Sequence, residues 1–359
     1  MRNIYFTPGP AELYFTVEGH IKNALKEQVP SISHRSKAFQ NIYQEAVSNL
    51  KAVLDVPENY HVFFTASATE IWERIIQNGV AHKSYHYVNG AFSERFKATA
   101  EELGRKTEGS IAEEGSCSAP TPEHISSDTE LIAFTLNETS TGASQPLEDI
   151  YAIQKAHPDK LIAVDAVSVL PHSLLDYTKV DSVFFSVQKA FGLPAGLGVW
   201  VVSPRSVEKA QQLADQGLSI GSYHSLPSLL AKGEKNQTPE TPNVLNIYLL
   251  AKVCGDMLNK SIVKIRQETE YKAALMYHAV EQHPKLTPFV KNSIYRSKTV
   301  IVAETEVPSS EIIDELKKDG LIIGSGYGAN KAKHIRIANF PTHSKEQFEL
   351  LVDKINALK

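Results

Sequence analysis

Cysteine is nearly absent from this 359-residue chain: only Cys117 and Cys254 occur, with no CxxC pair and no Cys/His spacing of a zinc site. That excludes a disulfide-stapled scaffold and a structural zinc module, and no metal is expected. A large excess of either charge is also lacking. Lys plus Arg number 37 against 41 Asp plus Glu, a formal net charge of −4, so no nucleic-acid surface is expected. The opening residues, MRNIYFTPGP, hold no apolar signal core, and a cytoplasmic location is the expectation. A single apolar run reaches membrane-spanning length, VFFSVQKAFGLPAGLGVWVV at 183–202. Lys189 lies inside it, and Gly192, Pro194, Gly196 and Gly198 follow closely. A charge at mid-bilayer is costly, and clustered Gly and Pro read as a turn between two buried strands. No membrane partner is expected.

What is present is an ordinary globular composition, 42% hydrophobic and 22% charged. At roughly 100–200 residues per domain the length suggests two or three domains. Short apolar runs alternate with helical patterns: HVFF at 61–64, SYHYV at 84–88, LIAFTL at 131–136, LIAVDA at 161–166, SVFFSV at 182–187 and LGVWVV at 197–202. Apolar strands separated by helices predict an α/β fold, with a mostly parallel central sheet covered on both faces. Beyond the loop QTPETPNV the texture changes. Long amphipathic helices over 243–283 precede a strand at 299–304, a helix, the strand HIRIAN and a terminal helix, which predicts a smaller α+β C-terminal domain. The expected division is an N-terminal segment (1–15) packing across the domains, a large domain (16–242), and connecting helices with the small domain (243–359).

Ligands of open α/β sheets bind beyond the carboxyl ends of the strands, so the polar residues there are the candidates. After HVFF comes Thr65-Ala66-Ser67-Ala68-Thr69-Glu70, whose small side chains at a helix start suit either a phosphate or a plain N-cap. Asp165 ends LIAVD. Lys189 follows VFFSVQ, flanked by Phe185 and Phe191, where desolvation favours the neutral, nucleophilic amine. An anion cradle, an Asp 24 residues before a buried Lys, and that Lys on one sheet edge are what pyridoxal phosphate requires. Phe92 could stack on its ring, and Asn137-Glu138-Thr139 could bond its phenolic oxygen.

In order, Phe6-Thr7-Pro8-Gly9-Pro10, Ser33-His34-Arg35, Ser67-Ala68-Thr69, Tyr87-Val88-Asn89-Gly90, Asn137-Glu138-Thr139, Val164-Asp165-Ala166, Gln188-Lys189, Thr241-Pro242 and Arg336 resemble the class V aminotransferases. These belong to the fold-type I pyridoxal-phosphate enzymes, and within them the likeness is greatest to the phosphoserine branch. The resemblance implies Lys189 as the Schiff-base lysine and Asp165 as partner of the ring nitrogen. It implies that Ala68 and Thr69 hold the phosphate with help from Gln188, that Phe92 replaces the family's usual stacking Trp, and that Thr139 faces the ring oxygen. By the same likeness Thr241 reaches the cofactor of a second subunit, which makes a homodimer with shared sites. Arg336 is expected to take the α-carboxylate of amino- and keto-acid substrates, and His34 and Arg35 the distal group of glutamate or phosphoserine.

Two departures stand out. Ala329-Asn330 occupies the place of the phosphoserine branch's second His-Arg pair, and Glu240 that of the family's Asn before Thr241. The expected reaction is transfer of the amino group of glutamate to 3-phosphohydroxypyruvate. The alternative is a serine–pyruvate or alanine–glyoxylate aminotransferase. A lyase of the cysteine desulfurase type lacks its nucleophile, since no cysteine follows Cys254, and a cofactor-less binding protein does not need the Asp165/Lys189 pair.

Overall fold

In the computed structural model, which describes residues 3–358, seven strands form the central sheet. Their spatial order is His61–Thr65, Gly198–Val202, Ser182–Ser186, Leu161–Asp165, Leu131–Thr135, Lys83–Val88 and Lys106–Ile111. Gly198–Val202 runs antiparallel to both neighbours, and every other pairing is parallel. Six strands therefore point the same way.

Alternate side chains of these strands enter two separate apolar layers. Ile132, Phe134, Val183 and Phe185 face one, while Leu131, Ala133, Phe184 and Trp200 face the other. A strand buried on both faces cannot alternate with polar residues, which is why the sequence shows continuous apolar runs. The Ala68–Gly79 helix covers the second layer with Ile71, Trp72, Ile75 and Ile76, a stripe at helical spacing. The Lys37–Leu54 and Val244–Lys260 helices cover the first.

A second sheet of five strands has the order Ile4–Phe6, Leu321–Ser325, His334–Ala338, Val300–Thr305 and Leu286–Pro288. The Ile262–Gln282, Ser309–Lys318 and Lys345–Asn356 helices supply its apolar cover. The N-terminal strand pairs in parallel with Leu321–Ile323. Just beyond it, Ala11 N–H donates to Gln188 O at 3.0 Å and Tyr14 N–H to Gly192 O at 2.8 Å, next to the central sheet.

Candidate active site

Five of the like-directed strands end at one edge, and each hands the chain to a loop of the site. Parity along Leu161–Asp165 turns Asp165 toward the layer of the Ala68–Gly79 helix. There Trp72 Nε1–H donates to Asp165 Oδ2 at 3.1 Å, and Val167 N–H donates to Oδ1 at 3.0 Å. Burial drives the Asp165 pKa up to about 7, further than these two donors can pull it down.

Lys189 stands in the turn after Ser182–Ser186. It keeps some surface, as a group facing a ligand space must, but the protein packed around its amine lowers its pKa to about 8. Desolvation is the larger cause and the Arg336 guanidinium adds to it, against the opposing pull of Asp165 and Glu138. Lys189 Nζ donates to Pro8 O. Gly9 is required beside it, because a Cβ there would stand 2.6 Å from Lys189 Nζ. The Phe92 ring centroid lies 5.9 Å from the same nitrogen.

Glu138 is wholly buried and gathers the surrounding loops. Its Oε2 accepts from Phe92 N–H at 3.1 Å, Ser93 N–H at 3.0 Å and Ser93 Oγ at 3.1 Å. Its Oε1 accepts from Ser140 N–H at 3.0 Å and Ser140 Oγ at 2.7 Å. The carboxylate thus caps the Ala91–Glu102 helix, where both the dipole and the unpaired N–H groups favour an anion. From the second sheet, Arg336 crosses to this cluster: Nε–H donates to Ser325 O at 2.7 Å and one terminal nitrogen to Thr139 O at 3.2 Å. The Tyr327 ring lies 5.5 Å from the Arg336 guanidinium and 5.2 Å from the Phe92 ring.

Ala68 N–H donates to Ser186 Oγ at 2.9 Å, and Ser67 Oγ caps the helix by accepting from Glu70 N–H at 3.1 Å. Thr69 is exposed. His34, Arg35 and Thr241 form a group of their own. Arg35 donates to Gln237 Oε1 at 2.9 Å, Thr238 O at 2.7 Å and Pro239 O at 3.0 Å, and His34 Nδ1 lies 3.4 Å from Thr241 Oγ1. Glu240, the unexpected residue of that loop, is taken up by His224. That ring bonds Glu240 at 3.0 Å through Nε2 and Glu70 through Nδ1. Burial alone would lower the His224 pKa, but the two carboxylates raise it to about 9, so the imidazolium ties the 237–241 loop to the Ala68–Gly79 helix.

The structure brings Lys189, Asp165, Phe92, Gln188, Thr139 and Arg336 together around the Lys189 amine and gathers His34, Arg35 and Thr241 at another point of the chain. Trp72, Tyr327 and His224 join these groups without having been singled out, and Glu138, named only within Asn137-Glu138-Thr139, holds the loops together. Trp72 carried a signal, one helical turn after the small-residue loop. His224 and Tyr327 carried none, because their partners are distant in sequence.

The residues present fit pyridoxal phosphate. A buried carboxylate with only two donors, a half-buried lysine with a lowered pKa, and a Gln188 side-chain oxygen with no hydrogen-bond partner leave polar groups for a ligand to satisfy. Among the described residues, no group of three or more His, Cys, Asp or Glu could hold a metal ion, and no helix is long and apolar enough to cross a membrane.

Comparison with known proteins agrees with this geometry. The family model Aminotransferase class-V matches residues 9–340. A phosphoserine aminotransferase of Rhodococcus opacus is 27% identical over 328 residues, 90% of this chain and 87% of that protein. The crystal structure of a phosphoserine aminotransferase from Cytophaga hutchinsonii superposes with a TM-score of 0.96 at 52% identity, covering 98% of each chain. An aspartate aminotransferase of Thermus thermophilus shares the fold, with a TM-score of 0.86 at 24% identity over 99% of this chain and 98% of that one.

Proposed function

This chain belongs to the class V aminotransferases, with pyridoxal 5′-phosphate as cofactor, and from that premise we propose that it transfers the amino group of L-glutamate to 3-phosphohydroxypyruvate, giving O-phospho-L-serine and 2-oxoglutarate. The observation that carries the reaction type is the pairing of buried Asp165 with half-buried Lys189 at one sheet edge, with Arg336 closing from the second sheet. The substrate rests on the likeness to the Cytophaga hutchinsonii phosphoserine aminotransferase at 52% identity.

When bound, the cofactor supplies an aldehyde for the amine and an electron sink for the carbanion. Asp165 would hold its ring nitrogen protonated, Phe92 would lie against the ring, and Thr139 would meet the ring oxygen. Ala68, Thr69 and Gln188 would hold the phosphate at the helix N-terminus. Lys189 Nζ takes the proton from the substrate α-carbon, and a pKa near 8 leaves a usable fraction of neutral amine at physiological pH. Arg336 still has N–H groups beyond its bonds to Ser325 and Thr139, and these would fork onto the α-carboxylate.

The active unit is proposed to be a cytoplasmic homodimer in which Thr241 completes the partner's phosphate site; Thr241 is exposed in the single chain. Mixing Lys189→Ala chains with Thr241→Ala chains tests this, since one site of each hybrid is intact in both contributions. Activity should reappear on subunit exchange. The substrate is tested by half-reactions with glutamate, phosphoserine, alanine and serine, read from the visible absorbance of the cofactor. Faster reaction with alanine or serine than with phosphoserine would favour the serine–pyruvate or alanine–glyoxylate alternative.

A further inference from the structure

Tyr327 sits between two glycines, Gly326 where a Cβ would clash and Gly328 in the left-handed region that favours glycine. A Cβ on Gly326 would stand 2.1 Å from Asn330 O, and Gly328 has φ of +53°. This short segment delivers the ring to a point 5.5 Å from the Arg336 guanidinium and 5.2 Å from Phe92, while the residue stays 43% exposed on its other side. There it lines a cleft of about 450 Å³ together with Gly90, Ser140 and Asn330. The residue thus faces this cleft and packs against Arg336 and Phe92.

We propose that Tyr327 is a positioning residue: its ring shields one side of the Arg336 guanidinium and so directs the substrate carboxylate onto the N–H groups left free on the other. The reasoning is geometric. Arg336 Nε and one terminal nitrogen already donate to Ser325 O and Thr139 O. With the ring 5.5 Å from the guanidinium carbon, approach from that side is closed, and a carboxylate reaches the N–H groups that remain, where a two-bond fork forms. Without the ring, water and other approach directions become available. The ring also backs Phe92, so the same side chain touches both the carboxylate clamp and the aromatic expected against the cofactor.

This inference rests on the reading of Arg336 as the carboxylate clamp, and the test keeps the two apart. Maleate, a dicarboxylate with no amine to react, serves as the probe; its dissociation constant from the holoenzyme is measured by spectral titration beside KM and kcat for glutamate. Tyr327→Leu should raise the maleate dissociation constant and the glutamate KM together by about 3- to 30-fold, with kcat changed by less than about 3-fold. Tyr327→Phe, which keeps the ring, should stay within about 2-fold of wild type in all three. Equal binding by Tyr327→Leu, a kcat defect without a binding defect, or a Tyr327→Phe variant as impaired as Tyr327→Leu overturns the proposal. Arg336→Ala separates the premise: if it leaves maleate binding unchanged, the clamp reading fails and this inference with it. Unfolding midpoints of the variants, expected to match wild type for a half-exposed side chain, show that binding and not folding was altered.

Discussion

The Glu138 carboxylate accepts a hydrogen bond from the Phe92 backbone N–H at 3.1 Å, so the residue placed beside Lys189 is held by a buried acid from a different loop. Replacing that acid should unfold the arrangement locally. Glu138→Ala leaves the N–H groups of Phe92, Ser93 and Ser140 without their acceptor. An unsatisfied buried donor costs about 1–3 kcal/mol, so a loss of roughly 3–5 kcal/mol in urea unfolding is expected. Glu138→Gln retains one acceptor oxygen and should lose less. A stability unchanged in the Ala variant would mean that water replaces the carboxylate without penalty.

How much of this could be read from sequence varied with the source of the signal. The central strands announce themselves because strands buried on both faces are continuous apolar runs, as LIAV before Asp165 and VFFS before Gln188 show. Lys106–Ile111 does not, because it is the polar edge strand KTEGSI, recognisable only by its pairing with Lys83–Val88. The Lys37–Leu54 helix carried its own signal, with Phe39, Tyr43, Ala46 and Leu50 at helical spacing, yet only the Ser33-His34-Arg35 motif just before it was singled out. Asp165 and Lys189 were legible because each stands at a strand end. Tyr327 and His224 were not, since their roles depend on Arg336, Phe92, Glu70 and Glu240 meeting in space.

Lys189→Ala should abolish transamination while leaving the fold intact, because nucleophile and proton carrier are one amine. Lys189→Arg should fail equally, as a guanidinium stays protonated and cannot attack a carbonyl. Borohydride reduction should fix the cofactor covalently to the wild-type chain and to neither variant. In wild type, cofactor capture by apoenzyme should accelerate as pH rises through about 8, where the Lys189 amine loses its proton.

Asp165→Asn should still bind the cofactor but slow the chemistry by about 10²–10³-fold, the usual scale for losing one directed charge interaction in a closed site. The amide can keep its bonds to Trp72 and Val167 only in part, and it can no longer hold a ring nitrogen protonated. Single-turnover rates with glutamate read this directly. An unaltered rate would move the ring partner to another carboxylate.

His224 predicts a stability change on the alkaline side. Its pKa rises from 6.5 to about 9 on folding, so the folded state binds the proton more tightly than the unfolded chain. The contribution is fully present below about pH 6.5 and is lost as pH rises through about 9. Urea unfolding at pH 6, 7, 8 and 9, in wild type and His224→Gln, isolates it. The variant should be less stable at pH 6, and the gap should close by pH 9. A constant gap across this range would place the effect in packing.

Arg336 and Arg35 should divide substrates differently. Arg336, reaching across from the second sheet to Thr139, is assigned the α-carboxylate that every amino and keto acid carries. Arg336→Ala should therefore lower kcat/KM for glutamate, phosphoserine, alanine and serine together. Arg35 is assigned the distal charge, which only glutamate and phosphoserine possess. Losing a fork of charge-assisted hydrogen bonds costs roughly 2–4 kcal/mol, or about 30- to 1000-fold in kcat/KM, for those two substrates alone. The structure adds a competing role, because Arg35 also donates to Gln237, Thr238 and Pro239 and so holds the loop that carries Thr241. The two roles separate by pattern. A loss confined to charged substrates marks Arg35 as the distal clamp, and an equal loss on all four with weaker cofactor binding marks it as the anchor of the 237–241 loop. Ala329-Asn330 offers no second guanidinium at the distal end, so a distal clamp on Arg35 should be the steeper of the two effects. If wild type prefers alanine or serine and Arg35→Ala leaves that preference unchanged, the phosphoserine reading gives way to the serine–pyruvate one.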